Sequence, residues 1–142
     1  MFAKQLTVFI ENRAGRLAEV LDVLGKNGVN IISMSLADTT EFGLLRLIVD
    51  DAPLGKEKLT ENGFSSLLSD VFIIKIPHKV GSLQNLLDMI DKNGVNIEYM
   101  YGLSIEDEEA YVVLKTSDTT RVDALLSKNG IKTVTCEDIR HS

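Results

Sequence analysis

Shifting the sequence by 66 residues lays positions 15–31 over positions 81–97, and ten of those 17 positions are identical: Gly15, Leu17, Leu21, Asp22, Lys26, Asn27, Gly28, Val29, Asn30 and Ile31. A chain that repeats itself this closely builds one supersecondary unit twice. Its 142 residues then divide into two minimal units of about 70 residues that share a core or an interface, with expected boundaries at 1–70 and 71–142.

The repeated stretch carries a helical period. Leu17, Val20, Leu21 and Leu24 recur as Leu83, Leu86, Leu87 and Ile90, the i, i+3, i+4, i+7 spacing of one apolar helix face. Each such helix runs into Asn-Gly, at Asn27-Gly28 and Asn93-Gly94, just after Lys26 or Lys92. Glycine takes the left-handed conformation that ends a helix, and lysine suits the negative end of its dipole. Further Asn-Gly pairs at Asn62-Gly63 and Asn129-Gly130 mark the ends of two more helices. One is expected around residues 56–61, short and weakly patterned. The other is expected on Val122, Leu125 and Leu126, behind a Thr119 or Thr120 cap.

Strand patterns fill the intervals. Leu6, Val8 and Ile10, and again Phe72, Ile74 and Ile76, precede the first helix of each copy. Residues 30–37 with 44–49, and 96–103 with 110–115, form hairpins. Residues 65–68 and 132–136 supply a fourth strand, which leaves only Ser69-Asp70 as a join. The order strand, helix, strand, strand, helix, strand is a split βαβ unit. Right-handed crossovers put both helices on one face of a four-stranded antiparallel sheet. The expected fold is therefore α+β, ferredoxin-like, twice over, with the two sheets held edge to edge or face to face by so short a join. Edge pairing would also cover exposed strand edges.

Composition narrows the function. The net charge of −6 is spread over both halves, and no Lys/Arg run provides the basic face a phosphate backbone needs, so nucleic acid is not an expected partner. No stretch approaches the roughly 18 apolar residues of a membrane span, and the first residues lack a signal-peptide core, so no membrane partner is expected either. Cys136 is the only cysteine, which excludes an intrachain disulfide and a Cys-rich zinc site and points to the reducing cytoplasm. The two histidines, His78 and His141, have no metal-ligand spacing, and no metal or other cofactor is expected. Glu106-Asp107-Glu108-Glu109 reads as a solvated hairpin tip. No nucleophile stands beside a base, so the chain reads as non-enzymatic.

Residues 11–17 and 77–83 link strand to helix, each with a glycine where the helix opens. Unpaired amides and a positive dipole at a helix start welcome a carboxylate, and glycine lets one approach. A tight turn with water on the amides fits the same residues. Tyr99 and Tyr101 replace Ser33 and Ser35, so the second copy shows two phenol rings on one strand face, lining a pocket or packing an interface. Met34 and Met100, at equivalent positions, read as core.

Strand, then Asn12-Arg13-Ala14-Gly15-Arg16-Leu17, then helix, then Gly28-Val29-Asn30-Ile31, resembles the ACT domain, and Gly81-Ser82-Leu83 with Gly94-Val95-Asn96-Ile97 repeats it. The resemblance covers nearly the whole chain and implies a small tandem ACT protein, a regulatory sensor that binds a free amino acid at the interface of its two repeats. It implies that Asn12 offers a side-chain amide and Gly15, Arg16 and Leu17 offer backbone N–H groups, while Asn30 or Asn96 contributes from the start of a strand. An amide suits a zwitterion because it both donates and accepts. By the same resemblance Arg13, Ala14, Ile31, His78, Val80, Gly81, Ser82, Leu83 and Ile97 complete the two sites. The second copy departs from the family, with His78 where the loop asparagine would stand. Both copies lack the usual proline before glycine, showing Ala14 and Val80. A second copy of the chain or a metabolic enzyme is the expected protein partner. The alternative is an interaction or oligomerisation module that acts on a partner enzyme without a small ligand.

Overall fold

The computed structural model describes residues 2–11, 14–38, 42–106, 108–136 and 138. By contact density the chain forms two compact units, with the division between Ser69 and Asp70 and with the first residues, through Ala3, grouped with the second unit. The first repeat runs β1 (Ala3–Glu11), α1 (Arg16–Lys26), β2 (Ile31–Asp38), β3 (Phe42–Val49) and α2 (Ala52–Glu61), and then enters β4 (Ser65–Pro77). The second continues from β4 into α3 (Ser82–Lys92), β5 (Ile97–Glu106), β6 (Glu109–Thr116), α4 (Thr119–Lys128) and β7 (Lys132–Val134). Strand order is β2-β3-β1-β4 in the first repeat. In the second it is β5-β6-β4, with β7 also paired to β4. This is the βαββαβ unit twice, each copy with antiparallel pairing.

All four Asn-Gly pairs end helices, and they do so in one way. Gly28, Gly63, Gly94 and Gly130 have φ between 66° and 84°. Beyond each glycine the next amide returns to the last turn, Val29 to the Leu24 carbonyl at 2.9 Å and Phe64 to the Leu59 carbonyl at 2.9 Å, with Val95 and Ile131 matching them. This is the Schellman arrangement, and the apolar residue it turns inward joins the core. The asparagines add a bond of their own: Asn27, Asn62, Asn93 and Asn129 each donate Nδ2 to the carbonyl four residues earlier, at 2.7–2.8 Å.

Each repeat has its own core between helices and sheet. In the first, Leu6 and Val8 of β1, Leu45 and Leu47 of β3, Val20 and Leu24 of α1 and Leu59 of α2 are wholly buried. In the second, Phe72, Ile74, Ile90, Leu114, Val122 and Leu126 fill the equivalent space. The apolar spacing of α1 and α3 thus delivers Val20/Leu24 and Leu86/Ile90 to the core, while Leu83, at the start of the stripe, stays 40% exposed.

The structure corrects several sequence expectations. No join separates the repeats, because β4 is one 13-residue strand that runs through Ser69-Asp70. The last strand stops at Val134 rather than Cys136. Thr135 and Asp138 exchange hydrogen bonds there, Asp138 Oδ2 accepting from the Thr135 amide at 2.9 Å and Thr135 Oγ1 from the Asp138 amide at 3.3 Å, a pattern that opens a helical turn. The second helix of the first copy begins at Ala52, four residues earlier than its pattern suggests. Asp51 accepts the Leu54 amide at 3.1 Å, and Pro53 occupies the first turn. The α4 cap is Asp118, which accepts from the Arg121 amide at 3.1 Å, and neither Thr119 nor Thr120. Met34 is 43% exposed and so is not core, whereas Met100 packs against the second core.

The sequence offset between repeats grows from 66 at the first helices to 67 at the second. The extra residue is absorbed in β5, whose register against β6 shifts between Gly102 and Ser104, where β2 keeps register with β3. A bulge takes up one residue without turning the rest of the strand over. Replacing Asp118 by Ala is expected to cost about 1 kcal/mol, because one carboxylate closes the first turn of α4; urea denaturation reads this as a lower midpoint.

Candidate functional site

The first helices and the second helices start differently. Asp51 and Asp118 cap α2 and α4 with their carboxylates, but α1 and α3 start at Gly15 and Gly81, which have no side chain to give. Both glycines sit at φ 89°, ψ −13°, the same left-handed conformation in two loops of different sequence. An L side chain is disfavoured there, so the backbone itself demands glycine. Among the described residues no side-chain group caps either helix, and the amides and positive dipole of a helix start left in this way suit a negative charge. In the second loop the Ser82 amide is already turned back to the Lys79 carbonyl at 3.2 Å, so its spare donors begin at Leu83.

Asn12 and Arg13 lie outside the described residues. Ala14 and Gly15 are exposed, and Leu17 packs against the first core. His78 is exposed, and its amide donates to the Glu108 carbonyl at 2.6 Å, which ties the second loop to the hairpin tip. Val80 projects fully into solvent. Asn30 and Asn96 are not beside these loops within their own repeat. They stand at the far end of an 11-residue helix, about 16 Å along its axis. There they tie strands together: the Asn30 amide donates to Asp50 Oδ1 at 2.9 Å, and the Asn96 carbonyl accepts from the Ser117 amide at 3.1 Å. Ile31 and Ile97 pack on their cores. One repeat therefore brings together the loop residues 14–17 or 78–83, and no small ligand spans from there to its own Asn30 or Asn96.

Beside each glycine-capped helix lies a recess whose lining joins Arg16 or Ser82, both expected site residues, to residues that the sequence did not single out. In the first repeat it has a volume of about 260 Å³ and is lined by Glu11, Arg16, Phe64 and Ser65 with Phe9 and Ile10 of β1. In the second it is about 370 Å³, and the equivalent wall is Ile76, Pro77, Ser82 and Ile131, with Lys79 and Met89 beside them. The signal for Phe64 was available, since it follows the Asn62-Gly63 stop just as Ile131 follows Asn129-Gly130. Arg16 turns inward: its guanidinium lies 4.1 Å above the Phe64 ring centroid, and Nη1 donates to Glu19 at 2.7 Å. On β5 the Tyr99 and Tyr101 rings stack at 6.5 Å with 13° between their planes. Among the described residues no group of three His, Cys, Asp or Glu side chains is placed to hold a metal ion, and no helix is long and apolar enough to cross a membrane.

A family model of an ACT domain pair matches residues 1–141. A crystallised protein of Bacteroides thetaiotaomicron is 35% identical and superposes with a TM-score of 0.92 over 97% of this chain and 95% of that one. The ligand-free regulatory subunit of aspartate kinase from Thermus thermophilus gives a TM-score of 0.62 at 18% identity, covering 87% of this chain and 88% of its own. The corresponding subunit from Thermus flavus gives 0.60 at 18% identity over 89% and 90%. At that identity the two subunits show a shared fold. No curated protein matches the chain.

Proposed function

The chain belongs to the family of paired ACT domains, and on that premise we propose that it is a non-enzymatic regulatory protein whose strand-to-helix loops hold a free amino acid. The observation that carries this reading is the identical left-handed glycine, Gly15 and Gly81, at two helix starts that no side chain among the described residues caps, where the other two helices each have an aspartate. A ligand carboxylate takes the place that Asp51 and Asp118 fill elsewhere. The loop asparagine Asn12, or His78 in the second copy, then faces the ammonium group. A ligand that binds one arrangement of the protein better than another shifts their populations, which is all a regulator of this kind requires. Two proteins of the same fold are named as regulatory subunits of an aspartate kinase. By analogy of fold, the partner here is a metabolic enzyme or a second copy of the chain.

A thermal-shift screen against the twenty amino acids tests the reading. A ligand at about 100 times its Kd adds roughly 2.7 kcal/mol, a rise of several degrees. The variants Gly15→Val and Gly81→Val each lose about 1–2 kcal/mol from the strained backbone alone, so the informative quantity is the ligand-induced rise and not the bare midpoint. One of the two is expected to lose that rise. If the rise persists in both, the ligand sits elsewhere; no rise for any amino acid in the parent removes the sensor reading.

One observation favours the interaction-module reading. On the edge strand β2, Met34 and Leu36 are 43% and 51% exposed on the face that carries the core. An apolar sheet edge is a ready surface for another strand. A flat amino-acid screen together with a concentration-dependent mass in sedimentation would select this second reading.

A further inference from the structure

Asparagine followed by glycine is the pair most open to spontaneous loss of the side-chain amide, because glycine has no Cβ to shield its backbone nitrogen, and this chain has four such pairs. In the reaction the glycine nitrogen, its proton lost to solvent base, bonds to the asparagine Cγ, and the side-chain nitrogen takes up a proton and leaves as ammonia. Water then opens the cyclic imide to aspartate or, through the other carbonyl, to isoaspartate. One water enters, one ammonia leaves, and the chain gains a negative charge.

The helix stops hold this chemistry shut in three ways. The ring to be closed is nearly planar, so the glycine nitrogen must swing over to the asparagine Cβ. At ψ between 8° and 15° it eclipses the asparagine's own backbone nitrogen instead, roughly a third of a turn away from Cβ. Each glycine N–H is donated to the last turn, at 3.2 Å from Gly28, Gly63 and Gly130 and at 2.9 Å from Gly94, which holds the proton that must leave. Each asparagine Nδ2 is tied to a carbonyl four residues back, which keeps Cγ turned along the helix. All three locks belong to the final helical turn, so they open together when that turn frays.

The four latches differ in what anchors them. Asn27 and Asn93 are half-buried, and the residues turned inward behind them, Val29 and Val95, are buried. Asn62 is exposed, but Phe64 behind it is buried and leads into the 13-residue β4. Asn129 is exposed, Ile131 behind it is only partly buried, and the β7 that follows has three residues. We propose that Asn129-Gly130 is a site of spontaneous deamidation, gated by fraying of the end of α4, while the other three pairs stay closed in the folded protein. The product works against its own surroundings. A carboxylate cannot donate to the Leu125 carbonyl as Nδ2 does at 2.8 Å, and it adds negative charge at the negative end of the helix dipole. It also stands in the wall of the second recess, whose lining includes Lys79, so the modification changes the charge of that recess.

The test follows the full chain at mildly alkaline pH by peptide mapping that separates asparagine, aspartate and isoaspartate at each of the four positions. In concentrated urea all four pairs are expected to convert at similar rates, since each is then a bare Asn-Gly. Without urea Asn129 is expected to convert at least about tenfold more slowly than in urea, and at least about threefold faster than Asn27, Asn62 or Asn93. Urea below the unfolding transition is expected to leave the Asn129 rate nearly unchanged, because fraying exposes little surface, whereas a route through global unfolding accelerates with it. Ile131→Ala, which loosens the latch, is expected to raise the native rate several-fold and to leave the rate in urea as it is. Conversion led by another pair, equal at all four in the folded protein, or absent at Asn129 would overturn the proposal. An Asn129 rate that is the same with and without urea, that climbs steeply in dilute urea, or that ignores Ile131→Ala would overturn the gate at α4.

Discussion

Phe72→Ala is expected to remove about 3–5 kcal/mol of stability, read as a fall in the urea midpoint with little change in slope. Phe72 is wholly buried on β4, opposite Leu114 of β6, in the core that α3 and α4 cover. Removing its ring takes away apolar surface and leaves a hole between two layers that cannot close fully, so the transfer and cavity penalties add. The ring also meets Phe2 edge-on, with centroids 5.3 Å apart and 63° between planes. Phe2 itself is 37% exposed. Phe2→Ala is therefore the control, expected to lose only the edge contact, about 0.5–1.5 kcal/mol. A domain commonly has 5–15 kcal/mol in all, so the first substitution removes a large share and the second does not. If the two variants proved equal, the second repeat's core would not be organised around β4.

Much of this fold was legible because its signals are local and doubled. The four Asn-Gly stops needed no tertiary knowledge: glycine at positive φ and an asparagine bonded four residues back are decided within one turn. The start of α2 was not legible from periodicity, since its Ala-Pro-Leu-Gly opening presents almost no apolar face. It was legible from capping chemistry, in Asp51 followed by Pro53. The same rule would have put the α4 cap on Asp118. The continuity of β4 was hidden for another reason. Ser69 and Asp70 are polar, and polar residues in a strand and in a turn look alike in sequence.

The candidate site divides along the same line. That Gly15 and Gly81 open helices follows from spacing. The recess does not, because Arg16 and Phe64 are 48 residues apart and meet only when the start of α1 and the end of α2 reach the same end of the sheet. Periodicity can assign Arg16 to the first turn of a helix. It cannot show that the guanidinium turns inward to lie on an aromatic ring.

The last of the large effects concerns two positions that the repeat makes equivalent and packing makes incompatible. Gly55 and Val122 each donate an amide to the carbonyl of the capping aspartate, Gly55 to Asp51 at 3.0 Å and Val122 to Asp118 at 3.1 Å, so they hold the same place in α2 and α4. A Cβ on Gly55 would stand 3.0 Å from Leu6 Cδ2 and 3.3 Å from Leu24 Cδ2, both at the ends of wholly buried leucines, whereas Val122 fills its site with no exposure. Gly55→Ala asks those methyl groups to yield a few tenths of an ångström and gains about 1 kcal/mol of helix propensity, so it is expected to be near neutral. Gly55→Val adds two further methyl groups with stiff χ1 geometry and is expected to cost about 1–3 kcal/mol by overpacking. Val122→Gly, in the opposite direction, loses a buried side chain, opens a cavity and places glycine inside a helix, for about 3 kcal/mol. The two sites belong to separate cores and share no partner, so the double variant is expected to lose the sum of the single losses. A double variant more stable than that sum would mean that the helix layers of the two repeats adjust together, and that they respond as one body to whatever binds either of them.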